Sequence, residues 1–173
     1  INGSETGTSF KQALYFKSIG FNIYDTMIYK KLNYAPLTHR RYEQEFKYMF
    51  CFSKGKPKTF NPIMIPCKKA GKETKTSFYK DDTDNVTPKG KLKIKNFKIR
   101  GNIFEYYSTG GSKKGKIRHP AMFPKELVKD MITTWSNEND LVLDCFMGSG
   151  TSGVVAKELQ REFTGIEIVK EYY

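Results

Sequence analysis

The chain has 173 residues, enough for one domain that buries roughly two-thirds of its surface on folding. No apolar run approaches the ~18 residues of a membrane span, and no basic-then-apolar leader is present. The net charge is +12, and the three cysteines (Cys51, Cys67 and Cys145) lack CxxC spacing, which sets aside disulfide scaffolds and structural zinc in favour of a reduced, cytoplasmic protein. Residue 1 is isoleucine rather than methionine, so a piece of a longer polypeptide is expected.

In chain order, Thr8 or Ser9 can cap a helix running to about Ile19, with Phe10, Ala13, Leu14 and Phe16 as its apolar side and Gly20 as its stop. "FNIYDTMIYKK" (Phe21 to Lys31) is rich in β-branched and aromatic residues and reads as a strand. Pro36 rules out a central strand in the connection that follows, where His39, Arg40 and Arg41 read as a solvated turn, with contact to phosphate as the alternative. "FKYMFCFSK" (Phe46 to Lys54) is a second strand, apolar on both sides and therefore expected in a covered sheet. Tyr48 and Phe50 read as packing within it, with a base pocket as the alternative.

Between Lys54 and Arg118 stand 18 Lys/Arg against 5 Asp/Glu, so the whole positive excess lies in this segment. Such a block points to a polyanion, most simply nucleic acid; a solvated lysine-rich loop is the alternative. Lys91, Lys93 and Lys95 alternate with apolar residues in the candidate strand "KLKIKNFKI" (Lys91 to Ile99), and "NIFEYY" (Asn102 to Tyr107) is another. Arg100, Asn102 and Tyr106 interleave polar and aromatic types as a base-reading surface would. "YKDDTDN" lacks the glycine and distal glutamate of a calcium loop and reads as a turn.

Order returns at "HPAMFPKELVKDMITTWS", where Pro124 suits a helix's first turn and Leu127, Val128, Met131, Ile132 and Trp135 form an apolar face. "SNEND" is a turn. The strand "LVLD", the glycine loop "CFMGSG", a helix ending near Gln160 and the buried strand "EFTGIEI" (Glu162 to Ile168) complete a parallel α/β unit.

Gly148, Gly150 and Gly153 fit GxGxxG, with Glu167 near the distance at which an acid meets a ribose. A nicotinamide dinucleotide fits less well, because Asp144 would set negative charge beside its pyrophosphate and only six residues follow Glu167. S-adenosylmethionine has no phosphate and carries positive sulfonium and ammonium groups. Glu167 can accept both ribose hydroxyls, and Asp144 can favour the cationic end. An ordinary strand-to-helix turn with Glu167 in solvent is the remaining alternative.

"LDCFMGSGTSGVVAKELQREFTGIEI" resembles the cofactor motif D-P-F-x-G-S-G-T of the N6-adenine/N4-cytosine DNA methyltransferases, and "HPAMFP" resembles that family's H-P-A-x-F-P segment. "SIGFNIYDTMIYKK" and "YEQEFKYMFCFSKGKPKTFNP" are similar to its later strands. The order is that of the permuted class called beta. The resemblance implies a partial Rossmann-like α/β sheet that binds S-adenosylmethionine, with a basic insertion facing duplex DNA. Residues 1–54 would be the end of the catalytic half, 55–118 the target-recognition-like insertion and 119–173 the cofactor half.

It implies cofactor positions at His119, Pro120, Ala121, Phe123 and Pro124, and at Asp144, Phe146, Gly148, Ser149, Gly150, Thr151 and Glu167. Cys145 stands where the family has proline, and a small side chain still allows the turn. The family's catalytic Asp/Asn/Ser-Pro-Pro-aromatic motif is absent from the sequence. The permuted order places it before Ile1, together with two central strands and an edge strand. The implied activity is methyl transfer to adenine N6 or cytosine N4, with a non-catalytic DNA-binding remnant as the alternative. The chain alone is expected to be inactive. The resemblance also leaves room for a homodimer and for a cognate restriction endonuclease.

Overall fold

The computed structural model describes residues 6–34, 36, 42–74, 77–108 and 122–172. Its elements are α1 (Thr8–Ser18), β1 (Asn22–Lys31), β2 (Phe46–Ser53), β3 (Met64–Pro66), β4 (Ser77–Lys80), β5 (Val86–Gly90), β6 (Phe97–Ile99), β7 (Ile103–Tyr106), α2 (Lys125–Trp135), β8 (Leu141–Asp144), α3 (Thr151–Glu158) and β9 (Glu162–Gly165), with a final 3₁₀ turn at Lys170–Tyr172. They divide into two compact units, Ile1–Asn61 with Gly101–Tyr173, and Pro62–Arg100.

The first unit is layered α/β. Its three-stranded sheet has the order β2-β1-β7, with β1 antiparallel to β2 and parallel to β7. Rings at every second residue of β2 line one face, where α1 packs: Phe10 lies 5.3 Å from Tyr48, and Phe16 stacks 4.7 Å from Phe52. Tyr48 and Phe50 therefore serve as packing rings, themselves stacked at 6.0 Å. On the other face Met27, Tyr29 and Phe104 are buried, and the Tyr106 hydroxyl bonds the Asp130 carboxylate of α2.

Three expectations need correction here. The N-cap of α1 is Gly7 in the left-handed region rather than Thr8 or Ser9. Of the expected apolar side of α1 only Ala13 is buried, because one short helix over the margin of a sheet covers little. β2 is half-buried rather than sealed, since β1 is its only strand neighbour among the described residues.

β8 and β9 form a parallel pair in the register Leu141–Glu162 to Asp144–Gly165. Val142 and Phe163, side by side, pack with Val128 and Leu159 against a small core of Ile132, Val155 and Ala156, so α2 and α3 share it. Leu141 and Leu143 face away from it and are exposed, and β9 too is half-buried instead of buried.

The C-terminus of α2 is fastened from two directions. Arg161 is buried; its Nε donates to Ser136 Oγ at 3.1 Å, its Nη2 to Ser136 O at 2.8 Å, and its Nη1 to Leu159 O. Asn61 donates its backbone N–H to Thr134 O at 2.8 Å and its side-chain amide to Thr133 O and Ser136 O, each at 3.2 Å. The last carbonyls of a helix have no partner within it, and a cation there also suits the helix dipole. Asn102 makes a comparable attachment to β1: its Nδ2 donates to Thr26 O at 2.9 Å and its carbonyl accepts Ile28 N–H at 2.9 Å.

The second unit is one irregular antiparallel ribbon. Residues 63–74 and 77–81 run against 85–100, from Arg100 N–H to Ile63 O at 2.8 Å, through β3–β6, the Glu73–Lys93 bridge and β4–β5, to Asp81 N–H on Asn85 O at 3.1 Å. A tight excursion at Cys67–Gly71, turned by Ala70 N–H on Cys67 O, shifts the register. It breaks the ladder, so the strand expected over Lys91–Ile99 is regular only at Phe97–Ile99. The "DDTDN" stretch is the turn expected of it. Asp81 Oδ1 accepts the Thr83 hydroxyl, Thr83 N–H and Asn85 N–H, and these bonds, that of the Thr83 side chain foremost, hold its carboxyl below the usual range. None of the described residues of the ribbon is buried.

Candidate cofactor site

The candidate site lies at the carboxyl ends of β8 and β9, where parallel α/β sheets bind ligands. Asp144 ends β8, and its Oδ1 accepts Phe146 N–H at 3.0 Å, which starts the turn. The chain then crosses toward β9, with Met147 N–H on Ile166 O at 3.0 Å and Ile166 N–H on Asp144 O at 2.9 Å. Glu167 closes the arrangement. Its Oε2 accepts Gly148 N–H and its Oε1 accepts Val169 N–H, both at 2.8 Å. The carboxylate thus ties the glycine turn to the end of β9 rather than standing wholly in solvent.

Three glycines are needed by the backbone or its packing, Gly148 among them at φ 51°. Gly150 caps α3 at φ 76°, the left-handed region, and no side chain caps the helix, which leaves its first N–H groups open to a ligand. A Cβ on Gly153 would fall 2.7 Å from the Phe163 ring of β9, so this glycine permits the close helix–strand packing expected of the third position in GxGxxG. A Cβ on Gly150 meets nothing within 4 Å. Gly150→Ala should therefore lose only the left-handed backbone penalty, about 1–2 kcal/mol. Urea denaturation checks this: a shifted midpoint with an unchanged slope is expected, and no shift would show that the turn is not held in this conformation.

Ser149 and Thr151 hydroxyls lie 3.5 Å apart beside the turn. Phe146 is 91% exposed and Ile168 95% exposed, two bare apolar side chains within two residues of Gly148 and Glu167 along the chain. Ile168 is a candidate that sequence reasoning missed. The available signal was an apolar residue directly after the acid at a strand's end, where solvent would otherwise favour a polar one. Pro124 is fully buried at the start of α2, and Phe123 is exposed. His119, Pro120 and Ala121 lie outside the described residues, as do His39, Arg40 and Arg41.

Of the basic segment, Lys91, Lys93 and Lys95 are exposed and Arg100 is half-buried on the ribbon. Asn102 belongs to the first unit, where its amide nitrogen holds β1. Cys51 is half-buried near Asp25, and burial, then that carboxylate, pushes its thiol up, away from a reactive thiolate.

The described residues contain no helix long and apolar enough to cross a membrane. The profile of the DNA methylase family matches residues 1–173. The orphan methyltransferase M.BamHII of Bacillus amyloliquefaciens is 45% identical over 98% of this chain, which spans 66% of that protein. The type II methyltransferase M1.MboII of Moraxella bovis is 34% identical over 70% of the chain and 48% of its own length. Among solved structures, the M1.HpyAVI–SAM complex superposes with a TM-score of 0.62 at 27% identity, over 98% of this chain and 67% of that one. The partial Rossmann-like sheet, the glycine turn tied by its acid and the full-length profile match agree: the chain belongs to the N6/N4 DNA methylase family.

Proposed function

We propose that this chain carries the S-adenosylmethionine site and a DNA-facing segment of an enzyme that methylates adenine N6 or cytosine N4 in duplex DNA. The observation that supports this most directly is the Glu167 carboxylate, held by Gly148 N–H and Val169 N–H at the open ends of β8 and β9. A carboxylate has roughly four acceptor sites, so an acid in this place can take ribose hydroxyls beside backbone N–H groups. Phe146 and Ile168 offer apolar walls for a purine, and Asp144 offers negative charge toward a cationic methionine moiety. Ser149, Gly150 and Thr151 present backbone and hydroxyl groups at the start of α3, and His119, Pro120, Ala121, Phe123 and Pro124 are assigned to the cofactor with them. When bound, S-adenosylmethionine supplies a methyl group activated on a sulfonium. The residues here bind and orient it.

Lys91, Lys93, Lys95 and Arg100 are assigned to DNA; Asn102 joins them only if its side chain reaches a base beyond its bond to Thr26. The sequence has no Pro-Pro-aromatic motif to hold the target amine, so this chain alone should transfer no methyl groups. That same absence favours a second reading, a remnant that binds DNA without chemistry. Calorimetry with S-adenosylmethionine, against NAD as control, tests the site; preference for NAD overturns it. Labelled methyl transfer to duplex DNA tests the rest: incorporation by these 173 residues alone would place the catalytic group within them. The coding sequence upstream of Ile1 separates enzyme from remnant by the presence of that motif.

A further inference from the structure

A two-stranded ribbon with both faces open is marginal on its own, yet this one exposes Met64, Phe97 and Ile99 around β3–β6, Leu92 further along, and Phe78 and Val86 near its turn. Such a surface suits a partner, and its charge indicates which kind. Residues 62–100 hold eleven Lys/Arg against four Asp/Glu: eight of the cations and one acid fall within 62–74 and 91–100, and three of each within 75–90. Three of the four acids, Asp81, Asp82 and Asp84, sit in the turn, which the Asp81 bonds make rigid. The Cys67–Gly71 excursion instead carries Lys68 and Lys69, and Lys72, Lys91, Lys93, Lys95 and Lys98 follow on the same half, all exposed, with Glu73 the one acid in 62–74 and 91–100.

Resting on the DNA reading above, we infer that the ribbon docks on duplex DNA sideways, through its basal half, residues 63–74 and 91–100, with its acidic turn held outside the phosphates. A ribbon entering tip-first would drive three carboxylates, one of them paired with Lys80 at 2.8 Å, between the two phosphate chains. One lying lengthwise places strands about 4.8 Å apart in a major groove about 12 Å wide, which admits such a ribbon. It sets the lysines of the excursion against the backbone on one side and those of the return strand along it.

The test uses the complete enzyme and a fluorescent mixed-sequence 30-base-pair duplex, titrated at several salt concentrations. Lys68→Gln, Lys69→Gln and Lys72→Gln together should weaken binding at least tenfold near 100 mM salt and lower the log–log salt slope by about 2–3. The matching triple Lys→Arg should bind as the parent does, which excludes a folding defect. Asp82→Ala with Asp84→Asn should leave affinity unchanged or raise it; Asn tolerates the left-handed φ of 66° at Asp84. A larger loss from the turn variant than from the lysine triple overturns sideways docking. A lysine triple without effect, in an enzyme whose binding is still salt-dependent, overturns the ribbon assignment alone. A parent that does not bind the duplex overturns the DNA reading itself. A lysine triple that lowers the sedimentation mass instead assigns the ribbon to a second copy of the chain.

Discussion

Glu167→Ala should lower S-adenosylmethionine affinity about a hundredfold or more. The ligand would lose a charged acceptor of two ribose hydroxyls, about 1.5–3 kcal/mol for each bond, and the turn would lose the acceptor of Gly148 N–H and Val169 N–H as well. About 3 kcal/mol in total already exceeds a hundredfold. Glu167→Gln should fall between the two, because one amide oxygen can still accept while its NH₂ meets a backbone N–H with the wrong polarity. Calorimetry reads the affinity, and hydrogen exchange at Gly148 and Val169 reads the turn. Parent-like affinity together with parent-like exchange would sink the assignment of Glu167.

Arg161→Ala should be among the most destabilising single changes in the chain, by about 3–4 kcal/mol. It strips donors from Ser136 O, Leu159 O and Ser136 Oγ at once, in a buried place where each unsatisfied group costs about 1–3 kcal/mol. Asn61 still bonds Ser136 O, which keeps the loss below the sum. Arg161→Lys retains the charge but cannot fork between two carbonyls, and should recover about half. Urea melts give the values. A loss within about 0.5 kcal/mol, the size of a surface change, would show that Asn61 alone secures the end of α2.

What could be read from the residues was whatever a local pattern encodes. The aromatic and β-branched run over Phe21–Lys31, the apolar periodicity of Leu127, Val128 and Ile132, and the strand–glycine–helix–strand order from Leu141 all match elements of the structure, though the last strand ends at Gly165 and not at Ile168. The turn at Asp81–Asn85 was equally legible, because Asp, Thr and Asn bond the backbone within a few residues. Burial was not. Leu14, Leu143 and Tyr48 are apolar by type, but whether each is covered depends on which elements reach it, and pattern says nothing of that. Long-range bonds were also hidden: nothing in "FNP" announces that Asn61 will bond the end of α2, nor does "QREF" single out Arg161. Ile168 escaped notice because an exposed isoleucine and a buried one look alike in a string of letters.

The two asparagine attachments have a consequence for how such a chain diversifies. Asn61 and Asn102 each fix their own piece of backbone in the α/β unit, and the Arg100–Ile63 bond brings the ribbon's two ends side by side. Everything between them leaves and returns at nearly one point, so its length and sequence are nearly decoupled from the rest of the fold. The segment is in effect an exchangeable cassette. A ribbon of different length or lettering can be grafted between Asn61 and Asn102 while the glycine turn, the core of Val155 and the two clamps stay as they are.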